Sequence, residues 1–327
     1  MENIYTDLAL EMAELLGTDD GPSLDGVEVE SEEQDGILIH TVRVLDEAGE
    51  NVMGKPRGSY ITIESPDMKI NSVTVHEEII EILTEKLASL AAGTAGTVLV
   101  IGLGNSNVTP DSLGPLVVSK VLVTRHIMEG LPVELEGSLR SVCALAPGVM
   151  GLTGIETLEV VKGLVSRVKP ALVIAIDALA ARKISRINQT IQLTDTGISP
   201  GAGIGNKRLP LNRQSLGVPV IAIGVPTVAD AAVFASDAMD EFFSCIESSA
   251  PDLIQGGEGF LDMLKSLGDN EKHAAIKTAI TPLVGNMFVT PKEIGEVVSW
   301  LANIIANAIN MAMHEGISRE DINRYVY

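Results

Sequence analysis

Two spacings of apolar residues divide the chain. Within residues 28–64, the stretches 36–44 and 59–63 alternate β-branched and polar positions around a glycine-rich turn region, which reads as a pair of strands. Residues 75–91 change period: Ile79, Ile80, Leu83, Leu87 and Leu90 recur at helical spacing between charged residues, so an amphipathic helix is expected. Three apolar runs of strand length follow, at 97–101, 171–176 and 218–223. Such runs suit strands covered on both faces.

Helical stretches at 113–127 and 155–168 separate these runs. The alternation predicts an α/β fold of three layers, with a central, mostly parallel sheet flanked by helices and N-terminal β strands beside it. Thr153 and Glu156 have the spacing of a capping box for the second of these helices. Thr290-Pro291-Lys292-Glu293 repeats the device before a long C-terminal helix, expected over about 291–314. Residues 236–270 are acidic, contain Gly256-Gly257-Glu258-Gly259, and read as a helical, partly mobile insertion. One large domain is expected, its core over about 97–235, without internal repeats.

Composition narrows the chemistry. Apolar residues make up 46% of the chain but aromatics only 3%, so the core must be built from Val, Ile, Leu and Ala. A formal charge of -21 argues against direct nucleic-acid binding, which depends on Lys and Arg displacing counterions; Lys207-Arg208 is a candidate for a local basic patch. Cys143 and Cys245 form no close-spaced pair, so neither a disulfide framework nor a zinc cluster is signalled. The first residues lack a basic start followed by an apolar stretch, and no uncharged run is long enough to span a membrane. A cytoplasmic protein with no membrane contact is expected.

Familiar catalytic motifs fail. Gly102-Leu103-Gly104 follows a strand, but Asn107 stands where the third glycine of a dinucleotide loop belongs. An α/β module binding an anion over 102–107 stays open as a non-enzymatic reading. His76-Glu77-Glu78-Ile79-Ile80 begins like a helical zinc motif, yet Ile80 replaces the second histidine. There is no Gly-x-Ser-x-Gly elbow, and neither cysteine has a histidine nearby in sequence. Carboxylate chemistry remains.

Asp111 and Asp177 are the candidates. Asp111 lies in the loop leaving the first aliphatic run, where Thr109 can cap a helix, Pro110 can open it and Asp111 can complement its dipole. Asp177 follows the run 171–176 and can equally cap a helix. Both, however, fall beyond the carboxyl ends of predicted strands, where the functional crevice of an open α/β sheet lies. Two carboxylates held close cannot both ionise cheaply, so one keeps a proton while the other accepts one from water. Such a pair hydrolyses an amide with no metal or covalent intermediate. A divalent cation held by the pair is the enzymatic alternative.

Longer strings around these aspartates carry more information. Asn107-Val108-Thr109-Pro110-Asp111 with Leu113-Gly114-Pro115, the run from Ala146 to Thr157, and Ala175-Ile176-Asp177-Ala178-Leu179-Ala180-Ala181-Arg182 come in order. Asp195-Thr196-Gly197, Gly205-Asn206-Lys207-Arg208, the run from Val220 to Thr227, and Val289-Thr290-Pro291-Lys292-Glu293 continue them. In these strings the chain resembles the germination protease family, atypical aspartic endopeptidases whose core is related to that of hydrogenase maturation proteases. The resemblance implies a tetrameric, cytoplasmic enzyme of the forespore and spore core, made as a zymogen, which degrades small acid-soluble spore proteins during germination.

The family's two implicated aspartates match Asp111 and Asp177, and neither a cofactor nor a metal is implied. Thr6-Asp7-Leu8-Ala9-Leu10-Glu11 looks like the family's self-processing site, placing cleavage between Asp7 and Leu8. The implied organisation is a propeptide over 1–7 and a single peptidase domain over 8–327. On the residues alone, the same segment also reads as an acidic first turn opening a helix through Leu16. The chain departs from the family pattern at Ser106, where tryptophan is frequent, and at Ser199, where histidine is common.

Overall fold

A computed structural model describes residues 6–17, 24–128, 139–202, 205, 208–249, 269–314 and 316. Its strands are β1 (Val27–Gln34), β2 (Ile37–Val44), β3 (Gly58–Glu64), β4 (Val98–Gly102), β5 (Val142–Leu145), β6 (Leu172–Ala181), β7 (Thr190–Thr194), β8 (Val220–Asp230) and β9 (Phe288–Val289). Among the described residues they form one sheet in the order β1-β2-β3-β7-β8-β6-β4-β5, with β9 also paired to β8. The pairs β8-β6, β6-β4 and β4-β5 are parallel. From β8 outward through β7, β3, β2 and β1 the pairing is antiparallel. The N-terminal strands thus extend the central sheet rather than forming a separate layer.

The helices are α1 (Ala9–Leu15), α2 (Glu47–Met53), α3 (Val73–Ala91), α4 (Leu113–Val118), α5 (Met150–Thr153), α6 (Thr157–Val168), α7 (Arg213–Leu216), α8 (Ala231–Ser249), α9 (Asp269–Val284) and α10 (Ile294–Met313). Strand alternation distributes the aliphatic residues to the two sides of the sheet. Val98, Val100, Leu172, Ile174 and Ile176 share a core with α3, α4 and α10, while Leu99, Ile101, Val173 and Ala175 share one with Val161 and Val165 of α6. Further along the second face, Ala9 and Ala13 of α1 and Met53 of α2 pack with Val42, Val44 and Tyr60. The result is the expected three-layer α/β arrangement.

Several boundaries differ from expectation for physical reasons. The segment between β2 and β3 is the helix α2, which Asp46 caps by accepting from the Gly49 N–H at 3.0 Å, not a turn. The helix expected over 113–127 stops at Val118. Beyond it, Val121, Val123 and Thr124 are β-branched and favour extended backbone. The buried side chain of Asn310 on α10 accepts from Leu122 N–H at 2.8 Å and donates to the Lys120 carbonyl at 3.2 Å, satisfying that backbone.

Capping also shifts. The box at α6 pairs Glu156 with Glu159, whereas Thr153 sits at the end of α5 and its hydroxyl accepts from Ile155 N–H. At the last helix Glu293 occupies the cap position without a side-chain cap bond, and the Thr290 hydroxyl donates to the Thr227 carbonyl at 2.8 Å, tying the helix start to β8. In the region expected as an insertion, α8 runs to Ser249 and α9 begins at Asp269; residues 250–268, with the glycine cluster, lie outside the described residues.

Candidate active site

Where β4 ends, β6 does not. Their parallel pairing closes with Gly102 beside Ile176, and the Leu103 N–H makes one last bond to the Ile176 carbonyl at 2.8 Å. β6 then continues against β8, with Asp177 beside Gly224. Asp177 is therefore a strand residue at the first step past the end of β4, and not the helix cap its position suggested. Its alternation continues that of Val173 and Ala175, toward the face covered by α6. In open α/β sheets the functional crevice lies beyond the carboxyl ends of the parallel strands.

Asp111 reaches the same place by a tight return of the chain. A Cβ on Gly102 would stand 2.2 Å from the Gly114 carbonyl oxygen, so only glycine lets β4 and the start of α4 approach this closely. Gly104 has φ +108°, and a Cβ there would stand 2.1 Å from the Asp111 carbonyl oxygen. The Asn105 N–H is shared between that carbonyl at 3.0 Å and Asp111 Oδ2 at 2.9 Å. Asp111 closes a short 3₁₀ turn, Thr109–Asp111, whose N-cap is Val108 rather than Thr109.

The two carboxyls have unequal environments. Asp177 is buried, and burial, then the charge of Asp111, then the charge of Asp7 push its pKa well above the carboxylate range against one opposing bond from Ala178 N–H. Asp111 is half-buried, and burial raises its pKa against the Asn105 bond. Desolvation and like charge both disfavour ionising Asp177. When one proton is shared between them, it resides on Asp177.

Asp7 is the third acid acting at this site. Its Oδ2 accepts from the Ala180 N–H of β6 at 3.0 Å. Its carbonyl oxygen accepts from Lys55 Nζ at 2.9 Å and from Gln192 Nε2 at 3.2 Å, while Gln192 Oε1 accepts from Ala9 N–H at 2.7 Å. Leu8 is fully buried. Downstream, the buried Glu11 carboxylate accepts from the Arg182 and Lys183 N–H groups at 3.0 Å, and Glu14 pairs with Arg186, which also reaches Glu64 at 2.7 Å. The N-terminal segment is thus fastened along the extension of β6, with Asp7 near enough for its charge to act on Asp177.

Other noted residues stand apart in kind. Ser106 and His126 are exposed, Ser199 is half-buried in a loop, and Arg208 Nη1 lies 3.8 Å from Met150 Sδ. Lys207 lies outside the described residues. In the loop 102–107 the N–H groups of Leu103, Asn105 and Asn107 are donated within the protein. Among the described residues, no group of three or more His, Cys, Asp or Glu has a metal-holding arrangement, and no helix is long and apolar enough to cross a membrane.

Lys55, Gln192 and Arg186 escaped the sequence reading. Lys55 sits in Gly54-Lys55-Pro56, which reads as a solvated turn, yet its Nζ is held by the Thr6 and Asp7 carbonyls. Alternation along β7 was the available signal for Gln192, since Ile191 and Leu193 face the core between Thr190, Gln192 and Thr194.

Known proteins resemble this chain along its length. The family model described as germination protease matches residues 7–249 and 244–326. A germination protease of Clostridium perfringens is 44% identical over 328 residues, covering 100% of both chains, and one from Caldanaerobacter subterraneus subsp. tengcongensis is 45% identical over 326 residues, covering 99% of this chain and 98% of its own. Among solved structures, the hydrogenase maturation protease HycI from Thermococcus kodakarensis matches 43% of this chain and 80% of its own at 19% identity with a TM-score of 0.28, too low to bear on the argument. With both segments matched and relatives aligned end to end, the chain belongs to the germination protease family.

Proposed function

We propose that the chain is the endopeptidase that begins the breakdown of small acid-soluble spore proteins during germination, with Asp111 and Asp177 as its catalytic carboxylates. The observation that carries this reading is the unequal pair at the end of β4, with Asp177 buried beside the charge of Asp111. Asp111, ionised, takes a proton from water as it attacks the scissile carbonyl. Asp177, protonated, donates to the leaving amide nitrogen as the carbon–nitrogen bond breaks. The pair ends with its proton exchanged from one carboxyl to the other and is restored through solvent.

Under this reading the enzyme acts in the cytoplasm of the forespore and spore core as a homotetramer, with no cofactor. It is made as a zymogen whose residues 1–7 are removed by its own cleavage of Asp7–Leu8. The fastening of the Asp7 carbonyl by Lys55 and Gln192 supports self-processing, since a carbonyl so held resembles that of a bound substrate. The test is to incubate the chain with a spore-protein peptide containing a Glu-Ile or Glu-Phe bond and identify fragments by mass spectrometry. Cleavage after the acidic residue is expected; an intact peptide contradicts the assignment.

A further inference from the structure

The carbonyl of Asp7 has two donors on it, and the sheet register explains why they stand there. Gln192 of β7 is the partner of Gly224 on β8, and Gly224 is the partner of Asp177 on β6. Residues directly opposite one another across a sheet face the same side, so Gln192 and Asp177 project from one row with a glycine between them. Two strand spacings separate their backbones by roughly 10 Å, and the Leu179 side chain lies over the glycine between them. The Asp7 carbonyl oxygen accepts from Gln192 Nε2 at 3.2 Å at one end of this row. The Asp7 carboxylate, held by Ala180 N–H at 3.0 Å, acts on Asp177 at the other.

Lys55 completes the arrangement from outside the sheet. Its Nζ donates to the carbonyls of Thr6 at 2.8 Å and Asp7 at 2.9 Å. Burial lowers its pKa, and the carboxylates of Asp7 and Glu11 oppose that shift. An amine donates a hydrogen bond in either protonation state.

Resting on the self-processing reading above, we infer that Lys55 and Gln192 are catalytic residues that polarise the Asp7 carbonyl and receive the negative charge that develops on its oxygen during cleavage of Asp7–Leu8. Water adds to the carbonyl carbon and its proton passes to a carboxylate. The carbonyl electron pair moves onto the oxygen, where the two donors bind it. Collapse of that intermediate breaks the bond to Leu8, whose nitrogen takes a proton and leaves as the amine, while Asp7 gains the new carboxyl. Fixed donors aimed at a developing oxyanion in a dry site act without reorganising as charge forms, and loss of one such donor slows the chemical step by about 10²–10³-fold.

The alternative is that both residues merely dock the segment. Gln192→Glu separates the two roles: it keeps the oxygen that accepts from Ala9 N–H, but puts an acceptor where the carbonyl had a donor. The experiment follows the first-order conversion of the full chain to one beginning at Leu8 by intact mass, for wild type, Gln192→Glu and Lys55→Met, with thermal unfolding as the check on folding. Slowing of about 10²-fold or more is expected in each folded variant. If Lys55→Met fails to fold, Gln192→Glu decides alone. Conversion within threefold of wild type in either folded variant overturns the pair while leaving self-processing in place. Wild type that is not cut at Asp7–Leu8 overturns the processing reading and this inference together.

Discussion

The charge of Asp111 is, after burial, the largest influence holding the Asp177 carboxyl in its protonated form. The relationship is one-sided because Asp177 lies in a covered strand while Asp111 lies in a half-open turn. Stability follows from it with a definite sign. Because the folded-state pKa of Asp177 is raised, the folded chain keeps a proton that the unfolded chain releases above about pH 4. Stability from this group is complete below that value and is lost as pH rises through the folded pKa.

Asp177→Asn removes a group that resists ionisation in the fold and keeps its size. The variant is expected to melt above wild type at pH 8, with the gap closing as pH falls to 4 and below, read by circular dichroism. A variant that melts at or below wild type at pH 8 contradicts the environment assigned to Asp177.

Arg186 fastens the N-terminal segment. Its buried guanidinium meets Glu14 and Glu64, with Glu11 at 3.7 Å. Burial works against the Glu64 carboxylate, but the hydrogen bond with His40 and then the charge and hydrogen bonds of Arg186 bring its pKa down to about 2. Replacing Arg186 by Leu takes from the buried Glu11 and the half-buried Glu14 and Glu64 the cation they share, which costs about 3–5 kcal/mol. Urea unfolding at pH 7 checks this, and a loss under 1 kcal/mol contradicts it. Because removing the cation leaves the carboxylates as the destabilising groups, the deficit should shrink as pH falls through their pKa values.

Gly104 supports Asp111 by having no side chain. With φ at +108° and the Asp111 carbonyl oxygen 2.1 Å from where a Cβ would be, Gly104→Ala must push the turn away. A strained backbone position of this sort costs about 1–3 kcal/mol, and a displacement of about 1 Å in a reacting group costs on the order of 10²-fold in rate. Activity is expected to fall by more than the lost stability explains, measured as peptide cleavage well below the melting temperature. Unchanged cleavage contradicts the role of this turn in placing Asp111.

Much of the layer structure was legible in the chain because its signals are local. Ile79, Leu83 and Leu87 mark their helix by period alone, and the runs around Val100, Ile174 and Ile221 mark strands buried on both faces. Asp111 and Asp177 were legible as candidates only through their position after such runs. The environment of Asp177 was not, since β6 runs on to Ala181 by pairing with β8, a partner more than forty residues away in sequence. Lys55 was hidden for the same reason, because what its amine bonds to is far away in sequence: Asp7, 48 residues away, accepts from it. Thr290 has the spacing of a cap, yet bonds to Thr227 on β8 instead, a choice made by tertiary packing.

The carboxylate pair itself is tested most directly by cleavage of a peptide carrying a Glu-Ile or Glu-Phe bond by wild type, Asp111→Asn and Asp177→Asn, each shown folded by its melting curve. Wild type is expected to cut after the acidic residue, and each variant to be slower by about 10²–10⁴-fold, the contribution of a positioned acid or base. Full activity in both folded variants would contradict the assignment of Asp111 and Asp177.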